Sequence, residues 1–254
     1  MQDELPLDDT LALMRDLRAR CDWDRAQTHS SLRPYLIEEA HEVDDALRLG
    51  DASLLREELG DLLLQVLFHS VIAEEGGEFT FAEVCSGLVA KMRARHPQLY
   101  GDGVKRSWEE MKATTRRSLA DGLPPGLPAL HRAHRLQDRA AGVGFDWPDA
   151  DGPAGKVEEE LGEVRTELAR GATASGEPDP ALEAELGDLL FAVVNLCRKS
   201  GVHASLALDR ANRKFAERFA AVELLAASRG LDVREAGLAV LDSLWDEVKT
   251  TEHT

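Results

Sequence analysis

Cysteine is nearly absent. Cys21, Cys85 and Cys197 are too scattered for a zinc-ligand pattern and odd in number, which argues against a disulfide framework and for a reducing compartment. Aromatic residues make up 5% of the chain, and two-residue alternation of apolar and polar side chains is lacking, so nearly every segment reads as helix. Positive charge is scarce beside negative: 30 Lys and Arg face 47 Asp and Glu, a formal net charge of −17. Phosphate neutralisation along a nucleic-acid backbone requires the opposite sign, so stable nucleic-acid binding is not expected. Small phosphorylated ligands stay open through Lys91-x-Arg93-x-Arg95, Lys105-Arg106 and Lys214-x-x-x-Arg218. No stretch approaches the about 18 apolar residues of a membrane span. Met1 runs directly into Gln2-Asp3-Glu4-Leu5-Pro6 without a basic or apolar leader region, so a soluble cytoplasmic protein is expected.

What the chain does contain is a repeat. Glu58-Leu59-Gly60-Asp61-Leu62-Leu63 recurs letter for letter as Glu185-Leu186-Gly187-Asp188-Leu189-Leu190. Each copy follows an acidic cluster, Glu38-Glu39-x-x-Glu42 and Glu159-Glu160-x-x-Glu163. Cys21-Asp22-Trp23 precedes the first cluster as Phe145-Asp146-Trp147 precedes the second. Later come Lys91 with Arg95 and Lys214 with Arg218, then Trp108 to Lys112 and Trp245 to Lys249, both Trp-acid-acid-hydrophobe-Lys. Glu160 to Glu185 spans 25 positions where Glu39 to Glu58 spans 19, and the turn-forming Gly171 to Pro180 absorbs the difference. Tandem domains of about 100–130 residues are therefore expected. We place them at 1–120 and 129–254, joined by the Gly/Pro-rich linker 121–128.

Helices are expected near Asp9–Arg20, Ser30–Leu49, Ser53–Glu75, Phe81–Arg95 and Ser107–Leu119, then Ala129–Ala141, Gly155–Arg170, Pro180–Ser200, Ala204–Ala227 and Glu235–Thr250. The fold class is all-α, with bundle-type cores. In the Ser53–Glu75 segment, Leu59, Leu62, Leu63, Leu64, Val66, Leu67, Val71 and Ile72 cover most of the circumference, which marks a helix buried or packed on two sides. Glu58, Asp61 and Gln65 form its polar stripe. Residues three apart share a face, so Glu58 and Asp61 point together, as do Glu39 and Glu42. Two adjacent antiparallel helices would bring four carboxylates together.

Glu-x-x-Glu pairs in so acidic a chain are ordinarily solvated faces. Here the pairs come in twos, recur with the same spacing, and one of each set interrupts a Leu/Val-rich helix. Converging carboxylates repel unless a cation intervenes. All-oxygen ligation selects a hard divalent ion, Mg²⁺ with Mn²⁺ as a plausible substitute, rather than zinc. A di-iron bundle would show Glu-x-x-His. Mg²⁺ so held leaves positions for phosphate oxygens, which suggests a nucleotide or other polyphosphate. Lys214 with Arg218, and Lys91 with Arg95, are equally readable as phosphate contacts or as surface cations of amphipathic helices.

Glu-Glu-x-x-Glu, a gap, then Glu-x-x-Asp resembles the signature of the MazG-type nucleoside triphosphate pyrophosphohydrolases. Flanking Trp23-Asp24-x-x-Gln27-Thr28-His29, Arg95-His96-Pro97, Gly142-Val143-Gly144-Phe145-Asp146-Trp147 and Asn212-x-Lys214-Phe215-x-x-Arg218-Phe219 resemble the two-domain form of that family, from about Leu11 to Lys249. Asp22 departs from it, standing where the family often has Pro. The resemblance implies tandem all-α domains whose bundles are completed by homodimerisation, and Mg²⁺-dependent cleavage of a nucleoside triphosphate to the monophosphate and pyrophosphate. It implies Glu39, Glu42, Glu58 and Asp61 as metal ligands in the first half and Glu160, Glu163, Glu185 and Asp188 in the second. Glu38 and Glu159 become candidates for a further metal or for orienting water. Lys214 and Arg218 become triphosphate contacts, with Trp245 and Lys249 closing the site and Lys91 and Arg95 as first-half counterparts. The second half is implied as the main catalytic domain, although the first retains every acid.

His131-x-x-His134 has a helical metal spacing but no third ligand nearby. Gly142-x-Gly144 is a turn, since no strand precedes it. Neither Ser nor Cys sits in a nucleophile setting, so attack by water is expected without a covalent intermediate. The rival reading is a nucleotide-sensing or partner-binding module; a degenerate copy would be expected to lose acids, and neither half has.

Overall fold

The computed structural model describes residues 7–101, 103–104, 118–170 and 179–251. Lys105, Arg106, the Trp108-to-Lys112 string, the expected helix Ser107–Leu119 up to residue 117, and residues 171–178 of the inserted turn lie outside them. All regular structure among the described residues is helical, as expected. None of these helices is long and apolar enough to cross a membrane. The chain divides into two compact units, Met1–Lys105 and Arg106–Thr254.

The first unit comprises α1 (Leu7–Arg20), α2 (Asp22–Ala26), α3 (Arg33–Leu49), α4 (Ala52–Glu75), α5 (Phe81–Ala94) and α6 (Pro97–Tyr100). Short-range chemistry sets the boundaries. Gly50 takes φ +70°, a left-handed value open to glycine, and ends α3. Asp51 then caps α4, its carboxylate accepting from the N–H groups of Ser53 and Leu54 at 2.8 and 3.2 Å. This tight reversal packs α3 along α4. Thr80 and Glu83 form a reciprocal capping box at the start of α5. Leu11 and Met14 of α1, Leu67, Phe68 and Val71 of α4, and Phe81 build the core.

Arg18, only 6% exposed, ties this unit together. Its guanidinium donates to both Glu75 oxygens at 2.8 and 2.6 Å and to the carbonyl of Asp24 at 2.7 Å. Arg18→Ala would remove one of the two donors to the Asp24 carbonyl, which keeps the N–H of Gln27, and lose a fork-to-carboxylate pair whose acid end is half exposed. We expect a loss of about 2 kcal/mol, read as a fall of roughly 10 °C in the unfolding midpoint of the first unit. The Arg18 hydrogen bonds hold the Glu75 carboxyl below its ordinary range. That contribution is present above the unfolded carboxyl value and is lost as pH falls through the folded one.

The second unit contains α7 (Ala129–Ala141), α8 (Asp151–Arg170), α9 (Pro180–Lys199), α10 (Ala204–Ser228) and α11 (Gly237–Thr251). Asp179 caps α9 by accepting from Ala181 N–H at 3.0 Å, with Pro180 at the first helical position. The α8–α9 pair packs more extensively than any other pair of described helices. Val222, Ala226, Leu244 and Val248 form a core between α10 and α11. Buried Arg139 of α7 donates to the carbonyls of Leu119 and Asp121 at 2.6 and 2.8 Å, fastening the stretch before α7 onto this unit.

Several expected boundaries shift for local reasons. Helices α2 and α6 are too short to show a period. Helix α8 starts at Asp151 rather than Gly155, because Asp149 accepts from Asp151 N–H at 3.0 Å and Pro153 is tolerated in a first turn. The apolar girth of α4 is covered unevenly. Leu67, Phe68 and Val71 are buried, whereas Leu59 is 49% exposed and Leu64 and Val66 are open as well. Gln65, read as part of a polar stripe, is buried.

Candidate active site

In the second unit, one helical turn separates Glu160 from Glu163 on α8 and Glu185 from Asp188 on α9. Carboxylate oxygens of Glu160, Glu185 and Asp188 lie within 4.8 Å of one another. Glu163 adjoins them: its carboxyl is pushed up first by the charge of Glu160 and then by a hydrogen bond shared with Glu185. In the first unit, α3 and α4 bring Glu39, Glu42 and Glu58 within the same 4.8 Å. Burial pushes the Glu39 carboxyl up, and the charges of Asp61 and Glu42 push it further; a Gln65 hydrogen bond partly offsets this. Glu58 is raised likewise by desolvation, then by Glu42 and Asp61. All eight sequence-derived acids are thus drawn into two groups, with Asp61 and Glu163 beside the tightest triplets.

Do these residues fit a cation? Glu160 answers most directly. It is 5% exposed. Its Oε1 pairs with Lys156 Nζ at 2.6 Å, and its buried Oε2 accepts no hydrogen bond. A buried carboxylate oxygen left without a donor is costly, and a cation among Glu160, Glu163, Glu185 and Asp188 would satisfy it. The donor set, oxygen throughout, suits a hard divalent ion.

Lys156 was missed by sequence reasoning. It stands three and four residues before Glu159 and Glu160, the spacing of helical ion pairs, and contacts both at 2.9 and 2.6 Å. Those two carboxylates raise its ammonium group, Glu160 the more. Tyr35 stands four residues before Glu39, so the first group has no cation in that place. A cavity of about 600 Å³ adjoins the second group, with Lys156, Glu160, Asp188, Trp147, Phe191 and Asn195 in its lining.

The cationic candidates of the second unit stand on α10 and α11. The Arg218 guanidinium lies 5.9 Å from the Trp245 ring centroid, and Phe215 lies 5.2 Å from the same indole. Lys214 is exposed on α10, and Lys249 pairs with Asp246 at 3.2 Å. In the first unit Lys91 is exposed on α5, Arg95 caps that helix, and Glu38 is exposed on α3. His131 and His134, read as a pair with no third ligand nearby, do have another histidine close by in the fold. His203, at the start of α10, lies with its ring 5.0 and 4.6 Å from theirs. Folding supplies a neighbour that sequence distance hides, yet the metal-compatible groups found among the described residues are the two acidic ones.

With folded values of Glu39, Glu58 and Glu163 above the unfolded carboxyl range, the cation-free fold carries a charge penalty at neutral pH. The penalty fades as pH falls through those values, and so does the affinity for a cation. Millimolar Mg²⁺ is therefore expected to raise the melting temperature by several degrees at about pH 7.5 and hardly at about pH 5. Equal shifts at both values would count against carboxylate ligation.

Comparison with known proteins agrees with this geometry. A family model described as the MazG nucleotide pyrophosphohydrolase domain matches twice, over residues 27–100 and 154–222. The Escherichia coli (strain K12) protein named nucleoside triphosphate pyrophosphohydrolase is 40% identical over 251 residues, 94% of each chain. One from Thermotoga maritima, named nucleoside triphosphate pyrophosphohydrolase/pyrophosphatase MazG, is 41% identical over 257 residues, 97% of each chain. The Bacillus subtilis protein YabN is 40% identical over 95% of this chain and 51% of its own length. With the domain present twice, and its paired carboxylates converging in each unit, this chain belongs to the MazG family of nucleotide pyrophosphohydrolase enzymes.

Proposed function

We propose that the chain is a Mg²⁺-dependent nucleoside triphosphate pyrophosphohydrolase, with Mn²⁺ able to substitute. It consumes one water, breaks the bond between the α and β phosphates of an NTP or dNTP, and releases the monophosphate and pyrophosphate. The observation that carries this reading is the buried, undonated Oε2 of Glu160 within a converging carboxylate group beside a cavity of about 600 Å³. The names of the full-length relatives support the same reaction. When bound, the ion would supply positive charge to the triphosphate oxygens and favour deprotonation of water.

Glu160, Glu163, Glu185 and Asp188 hold the ion in the second domain; Glu39, Glu42, Glu58 and Asp61 do so in the first. Glu159, which pairs with Lys156 alongside Glu160, and Glu38 in the first domain hold a further metal or orient the attacking water. Lys214 and Arg218 bind triphosphate oxygens, with Trp245 and Lys249 closing over them, and Lys91 and Arg95 play the lesser counterpart role. The domain limits are those of the repeat, 1–120 and 129–254. Broad base tolerance and removal of non-standard nucleotides in the cytoplasm complete the reading. Product analysis with Mg²⁺ and a panel of triphosphates tests it: equimolar monophosphate and pyrophosphate are expected, and orthophosphate as the first product would exclude the reaction.

The working form is a homodimer. Leu59, Leu64 and Val66 on α4 and Leu186, Leu190 and Val193 on α9 leave apolar surface open on the carboxylate-bearing helices. Packing against the same helices of a second copy would cover it. Sedimentation at micromolar concentration is expected to give twice the chain mass. A well-folded monomer there would argue against helix-mediated pairing.

A further inference from the structure

We infer that Trp147 is the residue on which the nucleobase stacks, and that Asp146 is its positioning residue. The inference rests on reading the second unit as the nucleotide site. Phe145-Asp146-Trp147 lies in the connection from α7 to α8, just after Gly144, whose φ of +89° turns the chain. That connection is held by more bonds than a surface loop needs. The Asp146 carboxylate accepts from the N–H of Trp147 at 2.9 Å and pairs with Arg198 and, at 3.3 Å, with Lys199 on α9. Lys199 Nζ also donates to the Trp147 carbonyl at 2.6 Å.

The indole itself sits on the first turn of α8. A Cβ at Gly152 would lie 2.0 Å from Trp147 Cδ1, a distance no side chain tolerates, so the ring keeps its place only because residue 152 is glycine. Trp147 remains 39% exposed and shares the cavity lining with Phe191, Lys156, Glu160 and Asp188. Aromatic faces for a base and carboxylates for a cation-bound triphosphate therefore line one space. Asn195 stands in the same lining. Its Oδ1 accepts from Arg198 Nε at 2.9 Å, which leaves the amide N–H groups to offer a base or sugar acceptor. Every base has a π face, so stacking on Trp147 contributes affinity without selecting among bases.

The test is calorimetric titration of the full chain with Mg²⁺ and α,β-methylene ATP, which cannot be cut at the proposed bond. Gly152→Ala, which displaces the ring from a position outside the cavity lining, and Trp147→Ala should each weaken binding about tenfold or more. Trp147→Phe should stay within about threefold, since it keeps an aromatic face. Inorganic triphosphate, lacking a base, should bind the wild type and Gly152→Ala alike. Asp146→Asn should raise KM for ATP with kcat nearly unchanged, a split that general unfolding would not produce. Equal affinity of the wild type and Trp147→Ala for the analogue overturns the inference and leaves the proposed function standing. Failure of the wild type to bind the analogue removes the nucleotide reading itself. Should Gly152→Ala fail to fold, the Trp147→Ala and Trp147→Phe pair decides alone.

Discussion

Asp188→Asn is expected to abolish triphosphate hydrolysis while leaving the helices in place. The amide is nearly isosteric with the carboxylate, so packing on α9 is preserved. What disappears is one negative oxygen of a group whose members lie within 4.8 Å of each other. A hard divalent ion depends on that charge. The loss should exceed the roughly 10- to 100-fold that follows from removing a group behind a metal ligand. Activity is to be assayed at saturating Mg²⁺ with circular dichroism confirming the fold, and near-wild-type turnover would remove Asp188 from the metal site. EDTA should silence the parent enzyme, and Mg²⁺ or Mn²⁺ should restore it.

The second large effect is a difference between the two copies. Glu160→Gln is expected to remove most hydrolysis, and Glu39→Gln less. Both changes delete one carboxylate charge at nearly constant volume, so the comparison concerns electrostatics rather than cavity formation. The surroundings differ. Glu160 is buried, is neutralised on one oxygen by Lys156, and lines the cavity of about 600 Å³. Glu39 is half-buried, has Tyr35 in place of that lysine, and leans on a Gln65 amide. The later cationic helix differs too, with Lys214, Arg218 and Phe219 in one copy against Lys91, Arg95 and His96 in the other. Turnover measured side by side decides: an active Glu160→Gln enzyme beside a dead Glu39→Gln enzyme would move catalysis to the first unit.

Helix identity was largely legible in the residues. Ala129–Ala141 was expected at the ends it has, and α4, α9 and α10 within one residue at each end, because caps such as Asp51 and Asp179 and terminators such as Gly50 act over a few positions. Helix α8 was read short, since Gly152-Pro153 resembles a turn until Asp149 is seen to cap it. The carboxylate sets were legible for a related reason: a three-residue spacing on a helix leaves little freedom in where two side chains point.

By itself, then, the sequence determined that this protein is all-helical and duplicated, and that each copy carries two pairs of acids on adjacent helices, because those properties follow from local periodicity and repetition. Only the tertiary structure decided that Glu160 is buried with an undonated oxygen, that His203 joins His131 and His134, and that Trp147 shares a cavity lining with Asp188. Each of these depends on which helix faces are turned together across tens of residues. Burial is a property of that packing, and no local spacing encodes it.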